Sequence, residues 1–136
     1  MKSYLPLSVL LALLAACQPT TKTYAPWHDA TEHLFEEGLK PFYHGVASGD
    51  PLPEAVILWT RVTPPDSVPE IEVRWEVSTS EEFELIAAQG TTTTNPGQDY
   101  TVKVDAHGLE AGTQYYYRFH ALEATSMTGR TRTAPQ

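Results

Sequence analysis

Beyond Lys40, apolar and polar residues alternate with the two-residue period of β-strands. Ile71 to Ser78 (IEVRWEVS) is the clearest case. Its pattern turns Ile71, Val73, Trp75 and Val77 inward and Glu72, Arg74 and Glu76 toward water. Tyr100 to Asp105 repeats the alternation, with Tyr100, Val102 and Val104 on one side. Ala55 to Val62 is too apolar to lie on a surface, and it pairs with Phe42 to Ala47 across a turn that contains Gly49 and Asp50. Thr113 to Leu122 is aromatic and β-prone, and Ser126 to Thr133 closes the series with a polar strand. Phe83 to Gln89 reads as a further short strand, although its Glu and Ala residues also permit a helical turn. About seven short strands separated by Pro, Gly, Asp and Asn, with no strong amphipathic helix, predict an all-β antiparallel sandwich of two sheets.

The first 40 residues have a different pattern. Leu5 to Ala16 is an apolar stretch behind a short basic start, too brief to span a bilayer and succeeded by polar sequence. This is a secretory signal over residues 1–16. Its ending, Leu14-Ala15-Ala16-Cys17, resembles the lipobox of bacterial lipoproteins, which implies cleavage before Cys17 and lipidation of that residue. The expected partner is therefore a membrane, reached through acyl chains, and the expected location is the cell envelope outside the cytoplasm. Gln18 after the cysteine is compatible with outer-membrane sorting. Residues 17–40 read as a tether, with Thr31 to Leu39 as a possible short helix capped by Thr31. Trp27, Leu34, Phe35 and Leu39 are expected to pack on the neighbouring domain.

Charge and cysteine count remove several function classes. A net charge of −8 argues against nucleic acid, which requires clustered Lys and Arg, and against electrostatic docking on anionic lipid. Cys17 is the sole cysteine, so neither an intrachain disulfide nor a thiolate metal cluster is available. The five histidines, His28, His33, His44, His107 and His120, form no HxH or HExxH arrangement, and no Asp-rich loop supplies a calcium site. No residue is assigned to metal or catalysis. His44, Ser48 and Asp50 remain the residue types from which a site could be built, but Ser48 lacks the G-x-S-x-G elbow and a tight turn needs Gly and Asp anyway.

Leu109-Glu110-Ala111-Gly112-Thr113-Gln114-Tyr115 resembles the L-x-P-G-T-x-Y corner of fibronectin type III domains, with Ala111 in place of proline. The resemblance implies an immunoglobulin- or fibronectin-like sandwich. Tyr115 would be buried with its hydroxyl on nearby backbone, Tyr117 and Phe119 would point inward, and Tyr116 and Arg118 outward. Trp59, Trp75 and these aromatics would hold the core, while Gly49, Asp50 and Gly112 would shape turns.

A second resemblance is more specific. His44 to Arg61 (HGVASGDPLPEAVILWTR), Val73 to Val77, Asp99 to Val104, Leu109 to Phe119 and Gly129 to Pro135 resemble, in order, the N-terminal domain of PhoD-type (alkaline phosphatase D) secreted phosphatases. The resemblance covers 41–135 and implies a sandwich that precedes an iron- and calcium-dependent metallophosphoesterase domain. None of that domain's ligands has a position here, so no cofactor is expected in this chain and its catalytic domain is expected to be absent. The leading expectation is a non-catalytic module that supports or docks a phosphatase catalytic domain. A small phosphoesterase built around His44 and Asp50, and a lipoprotein binding or adhesion module, stay open as alternatives.

Overall fold

Residues 36–136 are described by a computed structural model. Cys17 and its leader, Trp27, Leu34, Phe35 and residues 31–35 of the expected helix lie outside the described residues. The described remainder of that helix is one 3-10 turn, Glu37–Leu39.

Eight strands and a second 3-10 turn, Pro96–Gln98 between the fourth and fifth, make up the rest: β1 Val46–Gly49, β2 Ala55–Arg61, β3 Ile71–Ser78, β4 Ile86–Thr94, β5 Thr101–His107, β6 Gln114–Ala121, β7 Ala124–Thr125 and β8 Gly129–Arg132. One sheet runs β1-β2-β5; the other runs β4-β3-β6, with β7 and β8 both pairing along β6. Every pairing is antiparallel. The chain is thus an all-β sandwich of fibronectin-like layout. Val56 and Leu58 from the smaller sheet meet Val73, Val77, Tyr115 and Phe119 from the larger, all at most 1% exposed. Burial of this apolar surface is the main drive to fold. In β6 the expected alternation is complete: Tyr115, Tyr117, Phe119 and Ala121 are buried and the residues between them are more exposed.

The two poles of the sandwich differ. At the N-terminal pole Phe42 plugs the core at 1% exposure, and the Thr63 N–H donates to the Pro41 carbonyl at 2.8 Å. Phe42 is therefore an anchor ahead of a turn, with Gly45 at φ +68°, and the first strand starts only at Val46. At the C-terminal pole Tyr115 lies in its corner, its hydroxyl accepting from the Glu110 N–H at 2.8 Å. Gly112, at φ +64°, donates its N–H to the Ala134 carbonyl at 2.9 Å.

Several side chains depart from the expected pattern. Trp59 lies on the outer face of its sheet, because its neighbours Leu58 and Thr60 are fully buried on the inner face; it is half-buried and outside the core. Glu76, expected in water, is 7% exposed. The strand expected at Phe83–Gln89 begins at Ile86 and continues through four threonines to Thr94, while Phe83 sits in the preceding loop at φ +60°. Thr94 is fully buried, its hydroxyl donating to the Thr101 carbonyl at 2.7 Å. Tyr100 precedes β5, since Asp99 and Tyr100 both take left-handed conformations at φ +52° and +53°. The last strand is split: Ser126 bonds Phe119 in both directions and interrupts the ladder between β7 and β8. At the β1–β2 turn the left-handed residue is Asp50, at φ +48°, rather than Gly49. Asp tolerates that region better than most residues with a Cβ.

Both open sides of the sandwich are closed by an aromatic laid over a cross-strand glycine. Tyr117 pairs with Gly129, where an added Cβ would overlap the phenol ring. Trp75 pairs with Gly90, where an added Cβ would lie 2.8 Å from the indole.

Candidate functional site

His44 and Asp50 flank β1, so the whole four-residue strand separates them. At a rise near 3.3 Å per residue that is roughly 13 Å of chain. They share no site.

His44 instead meets Arg61, the last residue of β2. The Arg61 Nη1 donates to His44 Nε2 at 2.7 Å, while Nε donates to the Asp99 carbonyl at 3.0 Å and Nη2 to its carboxylate at 2.7 Å. Arg61 is 8% exposed, and the fork of its guanidinium suits several acceptors at once. Burial, and then the Arg61 charge, push His44 below its ordinary value, with the Asp99 carboxylate acting in the opposite direction. The ring is therefore neutral at physiological pH, with its Nε2 lone pair committed to a guanidinium. A base so engaged is poorly placed to accept a proton. What the cluster achieves is structural: it ties the β4–β5 loop, through the strained Asp99, to the end of β2.

A second cluster lies on the outer face of the larger sheet, where alternation alone predicts solvated charges. Glu76 of β3 faces Arg118 of β6, its register partner, and His120 two residues on. One carboxylate oxygen accepts from both Arg118 Nε and His120 Nε2, the latter at 2.9 Å. His120 Nδ1 contacts the Thr125 hydroxyl of β7 at 3.0 Å. Phe83 covers the guanidinium, its ring centroid 3.8 Å from Arg118 Cζ. Burial opposes the charge on Glu76, yet the hydrogen bonds and charges of Arg118 and His120 outweigh it and hold the carboxyl below the usual carboxylate range. Every partner here is spent on another, which describes a clasp across three strands rather than a waiting active site.

Among the described residues, no group of three or more His, Cys, Asp or Glu is placed to hold a metal ion. The donor set therefore does not fit the iron and calcium that the phosphatase resemblance implies for a catalytic domain. The residues expected to shape the scaffold serve turns and packing. Tyr115 and Gly112 form the C-terminal corner, Asp50 turns the chain after β1 while Gly49 ends that strand opposite Ile57, and Trp75, unlike Trp59, packs against the core, from the β3–β4 side. Sequence reasoning missed both charged clusters. Glu76 and Arg118 carried a signal, since opposite charges recur at matching outward positions of two strands. The Arg61–Asp99 contact, across 38 residues, left none.

Comparison with known proteins adds the context that the geometry lacks. Residues 28–135 match the family model of the PhoD-like phosphatase N-terminal domain. Alkaline phosphatase D of Bacillus subtilis (strain 168) is 43% identical over 101 residues, which is 70% of this chain and 17% of that protein. A solved structure of PhoD superimposes with a TM-score of 0.69 at 39% identity, covering 74% of this chain and 20% of that one. An fn3 domain of the human collagen alpha-1(XX) chain is a looser match, 21% identical with a TM-score of 0.43, over 71% of this chain and 82% of the domain. The chain thus spans about a fifth or less of the length of these phosphatases.

Proposed function

Because the chain belongs to the PhoD-like phosphatase N-terminal domain family, we propose that it is the non-catalytic sandwich of a lipid-anchored phosphatase, spacing and supporting a catalytic polypeptide that hydrolyses phosphate esters. The observation that carries this reading is the family match over residues 28–135, set against coverage of only 17% of B. subtilis alkaline phosphatase D. The scaffold suits the role. Its two charged clusters are self-satisfied ties, and residues 42 and 133 lie at opposite poles, so a polypeptide entering at one pole leaves at the other. Cys17 is the proposed acylation site and holds the module in the cell envelope outside the cytoplasm, with the outer membrane as the proposed residence. Labelled palmitate is expected in the wild-type chain and lost in Cys17→Ser; equal labelling of both would remove the anchor.

The supporting role is testable by transplantation. B. subtilis alkaline phosphatase D lacking its matched 101-residue segment is expected to lose hydrolysis. Insertion of residues 28–135 of this chain is expected to restore it. Full activity without any sandwich would refute a supporting role.

A further inference from the structure

All strand directions agree on which loops make the C-terminal pole. They are the β1–β2 turn (50–54), the β3–β4 loop (79–85), the β5–β6 corner (108–113) and the segment after β8. That last segment is tied down. The Ala134 N–H donates to the Leu52 carbonyl at 3.1 Å, the Thr133 N–H to Thr113 at 3.1 Å, and the Thr133 hydroxyl to Glu110 at 2.6 Å. In relatives that continue past this domain, the continuing chain therefore leaves the pole from a fixed point beside Leu52, with no slack before residue 134.

The same pole carries an unusual surface. Leu52 is 59% exposed, Leu85 65% and Ile86 40%, three of the five large hydrophobics exposed among the described residues. The loops of this pole also carry the exposed acids Asp50, Glu54, Glu81, Glu82, Glu84 and Glu110, and the three loops contain no Lys or Arg. Exposed apolar side chains among acids, with Arg132 the cation at the corner where its Nε donates to the Gly112 carbonyl at 3.1 Å, describe a docking face.

We propose that the C-terminal pole, centred on Leu52, Leu85 and Ile86, is the face on which the succeeding polypeptide of a PhoD-type phosphatase packs. This inference rests on the supporting role proposed above. The partner face is apolar with a basic rim, matching six acids that would otherwise repel one another. The succeeding chain leaves from Ala134, so a face tethered there is held at high effective concentration and a modest apolar contact suffices.

Amide hydrogen exchange compares the chain alone with the transplanted enzyme, in which the remainder of B. subtilis alkaline phosphatase D is the partner. Exchange at residues 50–54 and 79–86 is expected to slow about tenfold or more in the transplant, and at 122–127 to stay unchanged. The double variant Leu52→Asp/Leu85→Asp should return the pole to the rate of the isolated chain. Leu122→Asp, 46% exposed at the other pole, should not. A transplant that hydrolyses phosphate esters with unaltered exchange at the pole overturns the docking face alone. A transplant that remains inactive overturns the supporting role, and the docking face with it.

Discussion

Gly129→Val is expected to destabilise the domain by about 3 kcal/mol. A Cβ at residue 129 would overlap Tyr117 Cζ and lie 2.6 Å from its hydroxyl oxygen, a separation that real atoms do not tolerate. The tyrosine has nowhere to go. It is 2% exposed and packs edge-on against Phe119 at 6.3 Å. Relieving the clash means moving the ring and opening the β1–β8 side together. Thermal unfolding should shift down by about 4–8 °C for each kcal/mol in a domain of this size. The control is the same substitution in a Tyr117→Ala background, where the obstruction is gone and Gly129→Val should cost far less. Equal costs in both backgrounds would show that the glycine is needed for its backbone and not for the ring above it.

Glu76→Gln comes next, at about 1–3 kcal/mol near neutral pH, because a buried carboxylate with two donors is replaced by a neutral amide. Its pH dependence has a definite sign. The folded-state carboxyl titrates below its unfolded value, so its contribution is fully present above the usual carboxylate range and is lost as pH falls through the folded-state value. Wild type and Glu76→Gln should therefore differ at pH 7 and converge in acid, once pH has fallen below the usual carboxylate range and through the lower folded-state value. Denaturant midpoints measured across that range check it. A constant gap down to strongly acid pH would mean that the carboxylate's charge contributes nothing.

These two positions illustrate what the sequence does and does not disclose. Alternation places β3 and β6 well because their inner residues are large and apolar: Ile71, Val73 and Val77 on one, Tyr115, Tyr117 and Phe119 on the other. It fails in β4, where Thr91–Thr94 carries no hydropathy contrast and pairing with β3 extends the strand. It fails at Trp59 as well, since a nearly continuous apolar run gives no phase and only the register of β2 against β5 decides which side faces in. Glu76 departs for another reason. Its position is outward, as alternation requires, but a loop that turns at Phe83 and the hairpin after β6 cover that side of the sheet. Burial on an outer face depends on loops, and loops have no period. The candidate site was legible mainly through its composition, because residue types suited to chemistry, His44 and Asp50, stand in one motif while the strand between them keeps them apart.

That this sandwich is a support and not a catalyst is tested most directly by turnover of p-nitrophenyl phosphate and of a phosphodiester by the purified chain, supplied with Ca²⁺ and iron. A supporting module gives no hydrolysis above the buffer rate, and none altered by His44→Ala. Hydrolysis by the chain alone that His44→Ala abolishes would contradict it.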